Sequence, residues 1–188
     1  FGRSRYAERA ADLIAASHSW EDSVVFGLTG PWGSGKSSVL AMVTEELAQS
    51  HPSWRVARFT PWATSDTAGL FGDFFASLSS ALPKQRGKQV RQALGTLAKL
   101  SAPAAGAIPW AGPAVTATVE AAGALLQKQT PWFQAFQAAT DELKKLNIPV
   151  LIVADDIDRL QTDELLALLK VVRLLGRFPG VHYLLAYD

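Results

Sequence analysis

Apolar positions along the chain fall into two spacings. From Tyr6 to Ala16 they recur at Tyr6, Ala10, Leu13 and Ile14, the period of a helix with one buried face, and Ser4 stands where an N-cap belongs. Ser23 to Thr29 is a short unbroken apolar run, which suits a buried parallel strand. Lys36 to Gln49 reads as a helix, Trp54 to Phe59 as a second strand, and Thr60 to Asp66 as a loop. The stripe of Leu70, Phe71, Phe74, Phe75 and Leu78 predicts a helix over 67–82. Pro131 to Leu146 is amphipathic, with Trp132, Phe133, Phe136 and Leu143 on its apolar side. Pro149 to Ala154 is a strongly apolar strand ending in Asp155-Asp156. Thr162 reads as the cap of a helix running to about Arg177, with Asp163 and Glu164 near its positive end, and Val181 to Tyr187 is a last strand. Strands alternating with helices predict an α/β fold of three layers, a mainly parallel sheet with helices on both faces.

Composition narrows this picture by exclusion. The 188 residues suffice for one domain with a sizeable core. A formal net charge of +1 gives no direct nucleic-acid signal and no general pull toward acidic lipid. There is no cysteine, and His18, His51 and His182 share no ligand spacing, so disulfides and structural zinc drop out. The first residues, Phe-Gly-Arg-Ser-Arg, hold no apolar leader segment and no initiator Met, which reads as a fragment of a longer protein.

Chemistry enters at residues 30–37, Gly-Pro-Trp-Gly-Ser-Gly-Lys-Ser, between the first strand and the helix after it. This is a P-loop in the context the motif requires. Phosphate is compact and densely charged, and Gly30, Gly33 and Gly35 free the backbone to turn several N–H groups onto it. Pro31, Trp32, Ser34 and Ser38 complete the cradle. Lys36 brings a point charge to the β- and γ-phosphates, and the Ser37 hydroxyl suits Mg²⁺. The expected ligand is a Mg-nucleotide, with ATP preferred, which points to the cytoplasm.

The apolar strand 150–154 followed by Asp155-Asp156-Ile-Asp158-Arg159 makes a Walker B pattern. Asp155 would hold Mg²⁺, and Asp156 would orient or deprotonate the attacking water. Asp188, closing Val181-His-Tyr-Leu-Leu-Ala-Tyr-Asp, either reaches the γ-phosphate or the attacking water, or is a strand-end acid without special role. Arg159 reads as a surface partner of Asp158 or Asp163, ahead of a finger acting on a neighbouring subunit's nucleotide. Trp62, beside Pro61, reads as core packing ahead of a residue lining the site.

Taken together, Gly30-Pro-Trp-Gly-Ser-Gly-Lys-Ser-Ser38, Phe59-Thr-Pro-Trp62, Asp155-Asp-Ile-Asp-Arg159, the closing Leu-Leu-Ala-Tyr-Asp188 and the helix around Tyr6-Ala7 resemble the KAP family of P-loop NTPases, related to STAND- and AAA-type cores. The resemblance covers most of the chain outside residues 84–128. It implies an ATPase core in which another strand separates the Walker A and Walker B strands, with Lys36 and Ser37 at phosphate and Mg²⁺ and with Asp155 and Asp156 at Mg²⁺ and water. It also implies that residues 1–188 are one NTPase domain, continuing beyond Asp188, with 84–128 inserted between the Walker motifs.

Many relatives carry transmembrane helices at that point, and bacterial members are often tied to phage exclusion or defence. The insert opens basic (Lys84, Arg86, Lys88, Arg91) and continues rich in Ala, Gly and Pro. Both Walker motifs must lie on one side of any membrane, so spans come in pairs. Two spans need roughly 40 apolar residues, and Ala93 to Gln127 offers about 35, broken by Lys99, Glu120 and prolines. Spanning is argued against. A soluble helical insertion, or one lying on a membrane or partner, fits better, beside the plainer reading of 84–91 as a solvated linker.

The function expected is a nucleotide-driven switch or motor for attached domains, with a protein partner or a homo-oligomer. The alternatives are a nucleotide-binding scaffold with little hydrolysis and a small-molecule kinase. No arginine-bearing lid cluster supports the kinase, and no Asn-Lys-x-Asp base reader supports a GTPase.

Overall fold

Four strands, β1 (Val25–Thr29), β2 (Arg55–Phe59), β3 (Val150–Ala154) and β4 (Val181–Tyr187), form one sheet in the order β1-β4-β3-β2, and every pairing is parallel. The computed structural model describes residues 2–63, 67–107, 131–175 and 178–188, without the side chains of 63, 67–68, 101–107, 163, 167, 170–171 and 174–175. Helix α1 (Gly2–Ala16) precedes β1, and α2 (Lys36–Ser50) joins β1 to β2. Helices α3 (Thr67–Ala81), α4 (Lys88–Ala107) and α5 (Pro131–Leu146) lie between β2 and β3, and α6 (Thr162–Leu175) lies between β3 and β4. Two single turns of 3-10 helix, Pro61–Ala63 and Ile157–Arg159, follow β2 and β3.

Period-two alternation in the strands divides the core in two. Val150, Ile152 and Ala154 of β3, with Val181, Tyr183 and Leu185 of β4, pack against the phenylalanines of α3 and the apolar faces of α4 and α5. Leu151 and Val153, with Leu184 and Ala186, pack against α1 and α2. The sheet therefore has helices on both faces, the three-layer α/β fold. All of β3 is buried, as an apolar run buried on both sides requires.

Several local expectations shift. Helix α1 already begins at Gly2, so Ser4 lies inside its first turn and is not the cap. The cap of α6 is Gln161: its carbonyl accepts the Leu165 N–H at 2.8 Å, and its own N–H donates to Glu164 at 2.9 Å. Thr162 is thus the first helical residue, and Gly176 and Arg177 lie outside the described residues. Strand β1, expected to be buried, is one of the two edge strands among the described residues, with β2 at the other edge, and Val25 is half exposed.

The segment opening at 84 is not a solvated linker throughout. Val90, Leu94 and Leu97 of α4 are buried in the larger core. Arg91 donates to the carbonyls of Leu82 at 3.2 Å, Pro83 at 2.8 Å and Lys84, satisfying groups freed at the end of α3. Lys84, Arg86 and Lys88 stay exposed. No helix among the described residues is long and apolar enough to cross a membrane, and residues 108–130 lie outside them.

The connector from α1 to β1 is held by a histidine pair, His182 buried and His18 partly buried. Val24 N–H donates to His182 Nδ1 at 3.1 Å, and His182 Nε2 meets His18 Nδ1 at 2.9 Å. The backbone can only donate, so His182 carries its proton on Nε2 and passes it toward His18, whose own Nε2 is buried without a partner. Trp20 and Trp54 stand edge-on to His18 at 4.6 and 5.5 Å, and Trp20 packs so closely on Gly180 that a Cβ there would lie 2.2 Å from its ring. No nitrogen in this chain can accept another proton without facing two donors across one hydrogen bond. Burial, helped by the neighbouring His18, lowers the His182 pKa from the usual 6.5 to about 4. Burial lowers His18 as well.

The unfolded chain therefore binds the extra proton first. Stability is complete above about pH 6.5 and is lost as pH falls from there toward about pH 4, by about 2 kcal/mol between about pH 7 and about pH 5. Urea unfolding at those two values measures the loss. His182→Gln, which takes up no proton, is expected to be less stable at neutral pH and to show a flatter slope.

Candidate functional site

Because all four strands run the same way, their carboxyl ends open on one edge of the sheet. The loop after β1, the acids after β3 and the last residue after β4 all emerge there. In register, Thr29 of β1 lies beside Tyr187 of β4 and Ala154 of β3 beside Leu185. β4 thus reaches further than β3 and carries Asp188 to the mouth of the loop, where Gly30 N–H donates to Tyr187 O at 3.3 Å.

The loop folds as its glycines allow. Gly33 (φ 79°) and Gly35 (φ 87°) are left-handed, and Ser34 N–H closes a turn on Pro31 O at 3.0 Å. Gly35 hands the chain to α2, whose N-terminus has no side-chain cap. Ser37 and Ser38 are exposed in that first turn, and Trp32 stands 80% exposed at the loop's tip. The Lys36 ammonium is nearly buried: it donates to Gly30 O at 2.7 Å and forms an ion pair with the Asp188 carboxylate.

On the facing side, Asp155 Oδ1 accepts the Asp156 N–H at 2.9 Å. Asp156 is itself left-handed (φ 56°), which turns its carboxylate back over the 3-10 turn to meet Arg159 Nη2 at 3.0 Å. The partner of Arg159 is thus Asp156 and not Asp158, and the Asp163 side chain lies outside the described residues. The Arg159 guanidinium also lies 5.6 Å from the centre of the Trp62 ring. Trp62 is half exposed at this edge and is not a core residue.

Sequence reasoning missed Arg3. From the first turn of α1 its guanidinium donates to Ser34 O at 3.1 Å and lies against Gly35, where a Cβ would stand 2.9 Å away. Its sequence signal was only a cation at the head of a helix that packs on α2.

Chemically, an uncapped helix N-terminus, an ammonium and exposed hydroxyls suit a polyanion. Hydroxyl and carboxylate oxygens suit a hard divalent cation. Among the described residues no three metal-ligating side chains gather, so such a cation would draw most of its ligands from phosphate and water, as Mg²⁺ commonly does.

Comparison with known proteins identifies the family. The chain is 25% identical over 195 residues to the phage T7 exclusion protein of Escherichia coli (strain K12), covering 89% of this chain and 26% of that protein. It thus spans about a quarter of its relative's length. A solved structure of the ORC2 protein of Aeropyrum pernix, in its ADPNP–ADP complexes, superposes over 100% of this chain and 40% of its own, with a TM-score of 0.44 and 13% identity. The model of the KAP family P-loop domain matches residues 3–188, and the chain belongs to that family.

Proposed function

We propose that this domain binds and hydrolyses ATP and uses the nucleotide state to switch or drive attached domains. The observation that carries the reading is the meeting, at one sheet edge, of the uncapped N-terminus of α2 and the Lys36 ammonium with the paired acids Asp155 and Asp156. Residues 30–38 would take the phosphates, with Lys36 at the β- and γ-phosphates. Ser37 and Asp155 would hold Mg²⁺, which when bound neutralises phosphate charge. Asp156 would orient the water and take its proton. Residues 1–188 act as one NTPase domain, with 84–128 as an insertion within it and a candidate for contact with a protein partner or a membrane surface. The name of the Escherichia coli relative supports phage exclusion as the setting, and a nucleotide-binding site is what argues for the cytoplasm.

The Lys36 ammonium is paired with the Asp188 carboxylate. Asp188 therefore competes with the incoming phosphate for the ammonium, and then faces the phosphate and the attacking water.

Lys36→Ala is expected to weaken ATP binding about tenfold to a hundredfold, the ~1.5–3 kcal/mol of bonds to a charged group. Titration with a fluorescent ATP analogue reads this. Asp156→Asn is expected to keep that binding while phosphate release falls ~10²–10⁴-fold, the range of general acid–base catalysis. Full turnover in this variant overturns the role of Asp156. Tight binding without phosphate release by the wild type favours a scaffold, and transfer to a metabolite favours a kinase.

Asp188→Asn, which frees Lys36 from its carboxylate, is expected to bind the analogue several-fold more tightly than wild type. Weaker binding would show that Asp188 supports the phosphate site.

A further inference from the structure

The paired acids leave Arg159 and Trp62 without an assigned role. Stability does not supply one. A partly exposed i,i+3 ion pair contributes little to folding, and Trp62 keeps half its surface in water while Phe59, three residues earlier, is buried. Yet the arrangement is specific. Ile157, buried in the core, anchors the 3-10 turn, and Arg159 N–H closes that turn on Asp156 O at 3.1 Å. Asp156 accepts a left-handed backbone, and its Oδ2 receives Arg159 Nη2 at 3.0 Å. The other face of the guanidinium is backed by the Trp62 ring at 5.6 Å, from the turn that follows the neighbouring strand β2.

A carboxylate swings easily about its last bond, because the torsion is broad and two-fold. A carboxylate meant to aim one oxygen at a water needs its other oxygen fixed. Arg159 holds Oδ2 and not Oδ1. A planar guanidinium can hold an oxygen at its edge while its face rests on an indole, which a lysine ammonium cannot do.

We propose that Arg159 is a positioning residue for hydrolysis, fixing Asp156 Oδ2 so that Oδ1 faces the attacking water, and that Trp62 holds Arg159 in place, which makes the turn after β2 a control point for turnover. This rests on the reading of Asp156 given above. In the step it serves, the water oxygen bonds to the γ-phosphorus, the bridging P–O bond breaks with its electron pair leaving on ADP, and the water proton passes to Asp156 Oδ1.

The test is ATP turnover by Arg159→Ala, Arg159→Lys, Trp62→Ala and Trp62→Phe, with melting temperatures as a folding control, and single-turnover rates for Asp156→Asn alone and combined with Arg159→Ala. Arg159→Ala and Trp62→Ala should lower kcat about tenfold or more, the scale of a misplaced catalytic group, with KM for ATP changed less than about twofold. Trp62→Phe, which keeps an aromatic face, should retain most activity, and Arg159→Lys should not. On the Asp156→Asn background, Arg159→Ala should cost nothing further. A wild-type kcat in Arg159→Ala overturns the proposal. So does a rise in KM alone, or a full additional loss on the Asp156→Asn background, which would mark Arg159 as a finger acting on phosphate directly. Full turnover in Asp156→Asn instead overturns the reading of Asp156 itself, a separate outcome.

Discussion

The placing of β4 between β1 and β3, parallel to both, is the constraint on which the rest depends. Parallel pairing sends every carboxyl end to one edge, and the helices that begin there point their N-termini the same way. Fully apolar strands can occupy the centre because helices cover both faces, so the middle of the sheet is fixed by burial of whole residues rather than of one face. A rigid centre then carries chemically active residues only at its rim, where the backbone is free to turn.

At that rim the charges are already matched. A nearly buried ammonium without a partner would carry a heavy desolvation cost, and Lys36 avoids it with a carbonyl and a carboxylate of its own chain. Arg3 rests on Ser34 O, and Arg159 on Asp156. Each cation at the loop and at the acids is thus parked on an internal acceptor.

What the sequence disclosed follows physical locality. Helix α5 runs from Pro131 to Leu146 and β4 from Val181 to Tyr187 at the bounds read from apolar spacing, because both signals are continuous. The P-loop was legible because its chemistry depends on residue types at fixed spacing. Sheet order was legible only through the family resemblance, which put another strand between those leading to the P-loop and to the paired acids, as β4 is; periodicity alone made β1 look buried like β3, when it is an edge strand among the described residues. Arg159 was assigned to Asp158 or Asp163 by proximity along the chain, and the left-handed turn at Asp156, invisible to periodicity, redirected it. Arg3 drew no reading and Arg91 was read within a basic run, and both close carbonyls on a neighbouring segment.

β4 is seven residues long, and its two ends do unrelated things. Next to its first residue, the buried His182 pairs with His18, and just past its last, Asp188 meets Lys36. A slip of one residue along either neighbour would turn His182 to the opposite face and move Asp188 away from the loop mouth. The two polar contacts therefore act as paired alignment pins at the ends of one rod. A chain that pairs its strands out of step is penalised at both ends at once, and the phosphate loop meets its acid only when the far end of the strand is also correctly seated.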